Sequence, residues 1–203
     1  LLLESERELV ALSAEQHRVL DFALNETNPR LLCDGGPGTG KSLIAVEAAR
    51  RLARAGKKVL LLCFNDNLGE HVRLDLAETD PRIRVSTVHS FFGDIIKKGG
   101  FGEELRSARQ QGPDCALFEQ TYPELFESAC AVLLDEDALP QFDVLIIDEA
   151  QDVLNAPIMS CLDLIFNGGF EGGRWLIFHD SGLQSAVYDR ADARVIERLR
   201  SFG

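Results

Sequence analysis

The chain has 203 residues, 45% of them hydrophobic and 27% charged, which is ordinary for a folded globular domain and excludes disordered and collagen-like chains. Its formal net charge of −12 argues against a simple basic module that coats nucleic acid through phosphate contacts, but it allows local contact. The longest apolar run, residues 59–64, is far too short to cross a bilayer, so we expect no membrane partner.

The cysteines indicate where in the cell the protein is located, and the single methionine indicates whether the sequence is part of a longer protein. The five cysteines lack CxxC spacing, and three lie in or beside apolar runs, where a free thiol acts as a small hydrophobic group. We therefore expect reduced thiols and a cytoplasmic location. Because Met159 is the only methionine, residue 1 is not an initiator, and we expect the sequence to be a piece of a longer protein.

Five β-like segments alternate with helical patterns along the chain, which predicts βαβ units and a mostly parallel sheet. The segments 58–64 and 142–148 are continuous apolar runs, typical of central strands that helices cover on both faces. The sequence therefore predicts an α/β fold. The predicted strands are 30–34, 58–64, 83–88, 142–148 and 175–179, and the predicted helices are 13–24, 42–55, 68–78, 123–134, 157–166 and 191–200.

Two stretches have weaker patterns. Residues 93–141 contain glycine, lysine and glutamine and are less regular, apart from the helix predicted at 123–134. Residues 167–173, NGGFEGG, predict a plain loop because glycine clusters interrupt regular structure.

Residues 31–50, LLCDGGPGTGKSLIAVEAAR, pass from an apolar strand through a glycine cluster into a helix. Gly35-x4-Gly40-Lys41-Ser42 is the P-loop (Walker A) pattern in its required context. Backbone N–H groups can surround a polyphosphate there, with Lys41 at the β- and γ-phosphates and Ser42 on Mg²⁺. The alternative is a glycine-rich structural turn. The predicted ATP-binding residues are Gly35, Gly36, Pro37, Gly38, Thr39, Gly40, Lys41 and Ser42.

Residues 144–152, VLIIDEAQD, place two carboxylates at the end of an apolar strand, a Walker B pattern. The carboxyl ends of parallel strands form the ligand crevice, so Asp148 and Glu149 are expected to face the P-loop. Asp148 would coordinate Mg²⁺, and Glu149 would orient or deprotonate the attacking water as the catalytic base. The alternative is a solvated acidic turn.

Six motifs in order resemble the first RecA-like domain of a superfamily 1 helicase of the UvrD/Rep type, over nearly the whole chain. They are LSAEQ (Q-motif), GGPGTGKS (motif I), LLLCFNDNL (Ia), STVHSFF (Ib), DEAQD (II) and FHDSGLQSAVY (III). The resemblance implies a P-loop NTPase with a RecA-like three-layer sandwich over residues 1–203. Residues 93–141 would be a short insertion, replacing a much larger subdomain of well-known members.

The resemblance also implies an activity. Mg²⁺·ATP hydrolysis would drive movement on a single nucleic-acid strand, with DNA as the expected strand. A second RecA-like domain, expected in the same protein but absent from this chain, would complete the motor and supply arginines to the nucleotide cleft.

The resemblance implies roles in binding nucleotide or nucleic acid for two glutamines and a tyrosine. Gln16 would read adenine, although Ser13 to Gln16 is also a capping box that could simply start a helix. Gln184 would sense the γ-phosphate as a catalytic residue, and Tyr188 would stack on a base. Motif III here is one residue longer than usual on each side of Gln184.

Four further residues receive nucleic-acid roles in the same way. In motif Ia, Phe64 and Asn65 would line the strand path, but Phe64 could also be an ordinary core residue at the end of a strand. In motif Ib, Thr87 and His89 would contact phosphate or base, but they could merely cap the next helix. Such binding needs a few donors and stacking faces rather than a basic surface.

Two other functions stay open at this stage. The chain could be an ATPase switch in a repair or defence complex that does not translocate. It could also be a P-loop kinase, but no lid over the phosphates is recognisable, and an acidic pair followed by AQD fits hydrolysis better.

Overall fold

A computed structural model describes residues 12–63, 76, 80–111, 120–182 and 193–202. Within them, five strands form one parallel sheet in the order β1-β5-β4-β2-β3. The predicted α/β fold with a parallel central sheet is confirmed, and the two continuous apolar runs are interior neighbours, β2 and β4. The strands are β1 (Arg30–Asp34), β2 (Val59–Cys63), β3 (Ile83–Thr87), β4 (Val144–Ile147) and β5 (Arg174–His179).

Helices connect β1 to β2, β3 to β4 and β4 to β5, as a parallel sheet requires. None in the described part of the chain is long and apolar enough to cross a membrane. Of the predicted helix 68–78, only residue 76 lies inside the described residues. The helices are α1 (Ala14–Leu24), α2 (Lys41–Arg54), α3 (Val88–Lys98), α4 (Gly102–Gln111), α5 (Tyr122–Asp135), α6 (Ala156–Asp163), α7 (Gly169–Gly172) and α8 (Ala193–Phe202), with a 3-10 turn at Ala150–Asp152.

The expectation of irregular structure in residues 93–141 is wrong for much of that stretch, where α3 continues to Lys98 and α4 follows it. Phe91, Phe92, Ile95 and Ile96 are fully buried on α3, at the spacing of one helical face. Packing of this face against α5 outweighs the low helix propensity of Gly93. The predicted loop at 167–173 likewise contains the short helix α7.

The sheet is the middle of three layers. Along β2, Leu60 packs into one core cluster and Leu61 into the other, because successive side chains point to opposite faces. Helices α1 and α2 cover one face, and α3, α5, α6 and α8 cover the other. This is the RecA-like arrangement that the sequence predicts.

The carboxyl ends of all five strands meet at one edge of the sheet. Asp34 of β1 lies opposite His179 of β5, and Cys63 of β2 lies opposite Thr87 of β3. Strand β4 ends at Ile147, directly before the predicted acidic pair. The glycine loop after β1 and the acidic turn after β4 therefore share an edge, with β5 between their strands.

Candidate active site

The glycine loop between β1 and α2 requires backbone conformations that side chains disfavour. Gly38 and Gly40 have φ values of 74° and 87°, in the left-handed region. A Cβ atom on Gly40 would also lie 2.2 Å from the Gln16 amide nitrogen. Position 40 therefore needs glycine for both conformation and space.

The side chain of Lys41, at the start of α2, lies inside this loop. Its Nζ atom donates hydrogen bonds to the carbonyl oxygens of Gly35 (2.6 Å) and Gly36 (3.1 Å), and the residue is only 6% exposed. The Thr39 hydroxyl donates to the same Gly36 carbonyl at 2.8 Å. The loop therefore curls around a buried ammonium group, which can exchange these carbonyls for phosphate oxygens.

Gln16 connects helix α1 to the glycine loop. Its Oε1 accepts from the Ser13 N–H (2.8 Å), and its own N–H donates to the Ser13 hydroxyl, which completes the predicted capping box. Its Nε2 donates to the Thr39 carbonyl at 2.9 Å. The cap is thus present, and Gln16 also lies against the loop. Adenine recognition by Gln16 stays a prediction.

Asp148 follows β4 and is only 2% exposed. Its N–H donates to the Leu62 carbonyl at 2.9 Å, and its carboxylate accepts a hydrogen bond from the Ser42 hydroxyl of α2. Burial raises the pKa of this carboxyl group; the Ser42 hydrogen bond opposes the rise, and the neighbouring Glu149 charge adds to it. The structure therefore joins the predicted P-loop to the predicted Walker B turn.

The surroundings of Asp148 fit a divalent cation. Its Oδ1 is buried and has no hydrogen-bond partner in the described part of the chain. A hydroxyl and a carboxylate are oxygen ligands of the kind that Mg²⁺ takes, with water and phosphate oxygens filling its other positions. Residues 12–63, 76, 80–111, 120–182 and 193–202 contain no group of three or more His, Cys, Asp and Glu side chains that could hold a metal by themselves. The pair suits a metal shared with a phosphate ligand.

Glu149 stands in a strained conformation beside Asp148, with φ of 53° and ψ of 48°. The left-handed region costs a non-glycine residue about 1 to 3 kcal/mol and persists where the surroundings impose it. Here Gln151 Nε2 donates to Glu149 Oε2 at 2.6 Å and to Asp152 Oδ2 at 3.2 Å. The candidate base is therefore held in place by a buried amide.

The same amide reaches the end of β5. Gln151 Oε1 accepts the Asp180 N–H at 2.9 Å, and both residues are buried. Sequence reasoning assigned no role to Gln151, although its place in DEAQD, three residues after Asp148, was a usable signal. It links the turn after β4 with the start of motif III.

Motif III is also anchored on β1. The Ser181 N–H and hydroxyl donate to the Asp34 carboxylate at 3.1 and 2.5 Å, and the hydroxyl contact lowers the pKa of Asp34. The Gly35 N–H donates to the His179 carbonyl at 3.1 Å. The later part of the motif, with Gln184 and Tyr188, lies outside the described residues, and their roles stay predictions.

His179 is the buried histidine of this edge. Its side chain is 4% exposed, Nδ1 lies 4.0 Å from Asp34 Oδ1, and Nε2 has no hydrogen-bond partner in the described segments. Burial lowers the pKa of His179, and the Asp34 charge opposes the shift. The imidazole is therefore stabilised in its neutral form.

The surface predicted to bind a nucleic-acid strand lies at the carboxyl ends of β2 and β3. Thr87 caps α3: its Oγ1 accepts the Ser90 N–H at 3.2 Å. His89 is half-buried, with its ring edge-on to Tyr122 at a centroid distance of 6.4 Å. Phe64 and Asn65 lie outside the described residues. The capping role of Thr87 is therefore real, and nucleic-acid contacts by these four residues stay predictions.

Comparison with known proteins gives a family for this geometry. Residues 30–166 match the family model described as Schlafen group 3, DNA/RNA helicase domain. The match contains strands β1, β2, β3 and β4, the glycine loop and the acidic turn. No curated protein matches the chain significantly. Since the matched segment is more than half of the chain, this protein belongs to the Schlafen group 3 DNA/RNA helicase domain family.

Proposed function

We propose that this domain binds and hydrolyses Mg²⁺·ATP as the motor half of a superfamily 1 helicase or translocase of the UvrD/Rep type, acting on a single nucleic-acid strand. One observation carries the proposal. The Ser42 hydroxyl meets a buried Asp148 carboxylate, and Glu149 follows at once in an imposed left-handed conformation.

The proposed roles follow from where these groups lie. Lys41 would leave the loop carbonyls for the β- and γ-phosphates, and Ser42 and Asp148 would hold Mg²⁺. The metal would supply charge neutralisation on the phosphate oxygens. Glu149 would orient the attacking water and accept its proton, with Gln151 keeping the carboxylate in position. A base so placed favours hydrolysis over transfer to a second substrate.

The family description names both DNA and RNA, so it is compatible with either kind of nucleic-acid strand. We propose DNA as the strand, bound across Phe64, Asn65, Thr87 and His89. An ATPase switch without translocation would share the nucleotide site, and movement along the strand distinguishes the two functions.

Nucleotide binding is tested by melting temperature with saturating Mg²⁺·ADP or Mg²⁺·ATP. A ligand at 100 times its Kd stabilises a protein by about 2.7 kcal/mol, and Lys41→Ala should remove most of that gain. Glu149→Gln should bind nucleotide but lose hydrolysis. An unchanged melting temperature for the wild type, with no heat of binding by calorimetry, would refute the nucleotide site.

We also propose that fast turnover needs a second RecA-like domain. Charge on the γ-phosphate oxygens is offset in related motors by arginines, worth about 10³ to 10⁵ in rate. Among the residues that the structure describes, the charged groups that shift the pKa of Asp148 are Glu149 and Lys41, and neither is an arginine. Hydrolysis by the isolated chain at several per second would contradict this part of the proposal.

A further inference from the structure

Arg109 of α4 lies on a tyrosine that contacts the predicted strand surface. Its Nε donates to the Tyr122 hydroxyl at 3.1 Å, and its Nη2 donates to the same oxygen. The guanidinium carbon is 5.6 Å from the centroid of the Tyr122 ring. Two bonds and a ring face therefore fix the direction of the guanidinium group.

Tyr122 fixes this cation without neutralising it. A phenol is uncharged at neutral pH, and no carboxylate in the described part of the chain lies within ion-pair distance of Arg109. Arginine has five N–H donors, so the Nη1 donors and one on Nη2 stay available. Several other arginines are paired with carboxylates, among them Arg51 with Glu47, Arg82 with Asp80, Arg84 with Asp94 and Arg106 with Glu103.

The position of Arg109 ties it to the residues predicted to bind the strand. Tyr122 meets the His89 ring edge-on, and His89 lies two residues after Thr87 at the carboxyl end of β3. Arg109 Nη2 also approaches α3 at Gly93, where a Cβ atom would lie 3.6 Å away. An exposed cation thus continues the surface that begins at the edge of the sheet.

We propose that Arg109 binds a backbone phosphate of the single strand and that Tyr122 positions it. The proposal rests on the proposed function and extends the strand path from β3 onto α4. A planar guanidinium group with free, fixed donors matches phosphate oxygens, and a sequence-independent contact of this kind suits a motor. It also explains how a chain with a net charge of −12 can hold a polyanion locally.

The test is fluorescence anisotropy of labelled oligo-dT and oligo-U with the full chain at several salt concentrations. Arg109→Gln should weaken binding roughly tenfold at low salt. It should also reduce the slope of log K against log salt by about 0.7, the value for one lost single-strand phosphate contact. Tyr122→Phe should weaken binding less and leave the slope unchanged, because the charge stays while its positioning hydroxyl is lost.

Arg106→Gln is the matched control, since Arg106 is exposed on the same helix and paired with Glu103. It should bind the strand like the wild type, and all three variants should keep the nucleotide-induced rise in melting temperature. Wild-type affinity and slope in Arg109→Gln, or an equal loss in Arg106→Gln, would overturn the role of Arg109 while leaving the motor proposal intact. A wild-type chain that binds neither oligonucleotide would overturn both the strand contacts and this inference.

Discussion

Replacing Asp148 by asparagine should stabilise the protein without metal and destabilise it, relative to the wild type, with metal and nucleotide. The substitution keeps the shape of the side chain and removes its charge. In the wild type Asp148 is 2% exposed, and its Oδ1 has no partner in the described residues. Burial disfavours the charged form, as the raised pKa of Asp148 indicates.

The magnitude follows from the cost of an unsatisfied buried group. An unsatisfied buried polar group costs about 1 to 3 kcal/mol, and an unsatisfied buried charge costs more. Asparagine removes the charge but leaves a buried N–H group in place of the carboxylate oxygen, so part of the cost remains. We expect a net gain of about 1 to 2 kcal/mol in the free energy of unfolding. For a chain of this size, each kcal/mol shifts the melting temperature by about 2 to 4 °C.

The assay measures melting at pH 7.5 for both proteins, in EDTA and with saturating Mg²⁺·ADP. In EDTA, Asp148→Asn should melt higher; with Mg²⁺·ADP, the wild type should gain about 2.7 kcal/mol at 100 times its Kd and the variant far less. The order of the two melting temperatures should reverse. Glu104→Gln, an exposed change on α4, should alter neither condition. A lower melting temperature for Asp148→Asn in EDTA would refute the reasoning about buried charge, and an equal Mg²⁺·ADP gain would refute the metal role.

Three further predictions follow from the same edge of the sheet. Gln151→Ala should lower kcat more than nucleotide affinity, because Glu149 loses the amide that holds it, and should cost about 1 to 3 kcal/mol in unfolding free energy, because the buried Asp180 N–H loses its acceptor. Turnover measurements and denaturant curves test the two effects, and a change in KM alone would contradict the prediction. Gly40→Ala should cost at least about 1 to 2 kcal/mol and weaken nucleotide binding, because a left-handed residue would gain a Cβ atom against Gln16; a wild-type melting temperature would count against the loop geometry. Burial lowers the pKa of His179, so below about pH 6.5 the unfolded chain binds more protons than the folded chain, and stability should fall as the pH drops from there toward the folded pKa. His179→Leu should flatten that part of the plot of stability against pH, and an unaltered plot would exclude the effect.

Local patterns in the sequence determined the glycine loop and the acidic turn of the candidate site. The glycine loop, its lysine and serine, and the acidic turn can be recognised because each needs special residues within a few positions of a strand end. The parallel sheet was predictable for the same reason, since strands buried on both faces read as apolar runs such as β2 and β4. These features depend on the chain within about ten residues, the range over which side-chain periodicity operates.

The tertiary structure alone decided how those local features meet. Gln151 holds Glu149 and reaches Asp180, and one oxygen of Asp148 has no partner among the described residues, because three strand ends converge at one edge. Helix α3 was missed because Gly93 weakens its local pattern, whereas burial against α5 stabilises it. Helix α4 was missed because Leu105 and Ala108 are its only apolar side chains, which leaves little periodicity to recognise. The contact of Arg109 with Tyr122 joins α4, which was missed, to α5, which was predicted at 123–134, and no spacing rule brings those positions together. Contacts between residues distant in sequence depend on packing of the whole sheet and its helices, which is why they could be found only in three dimensions.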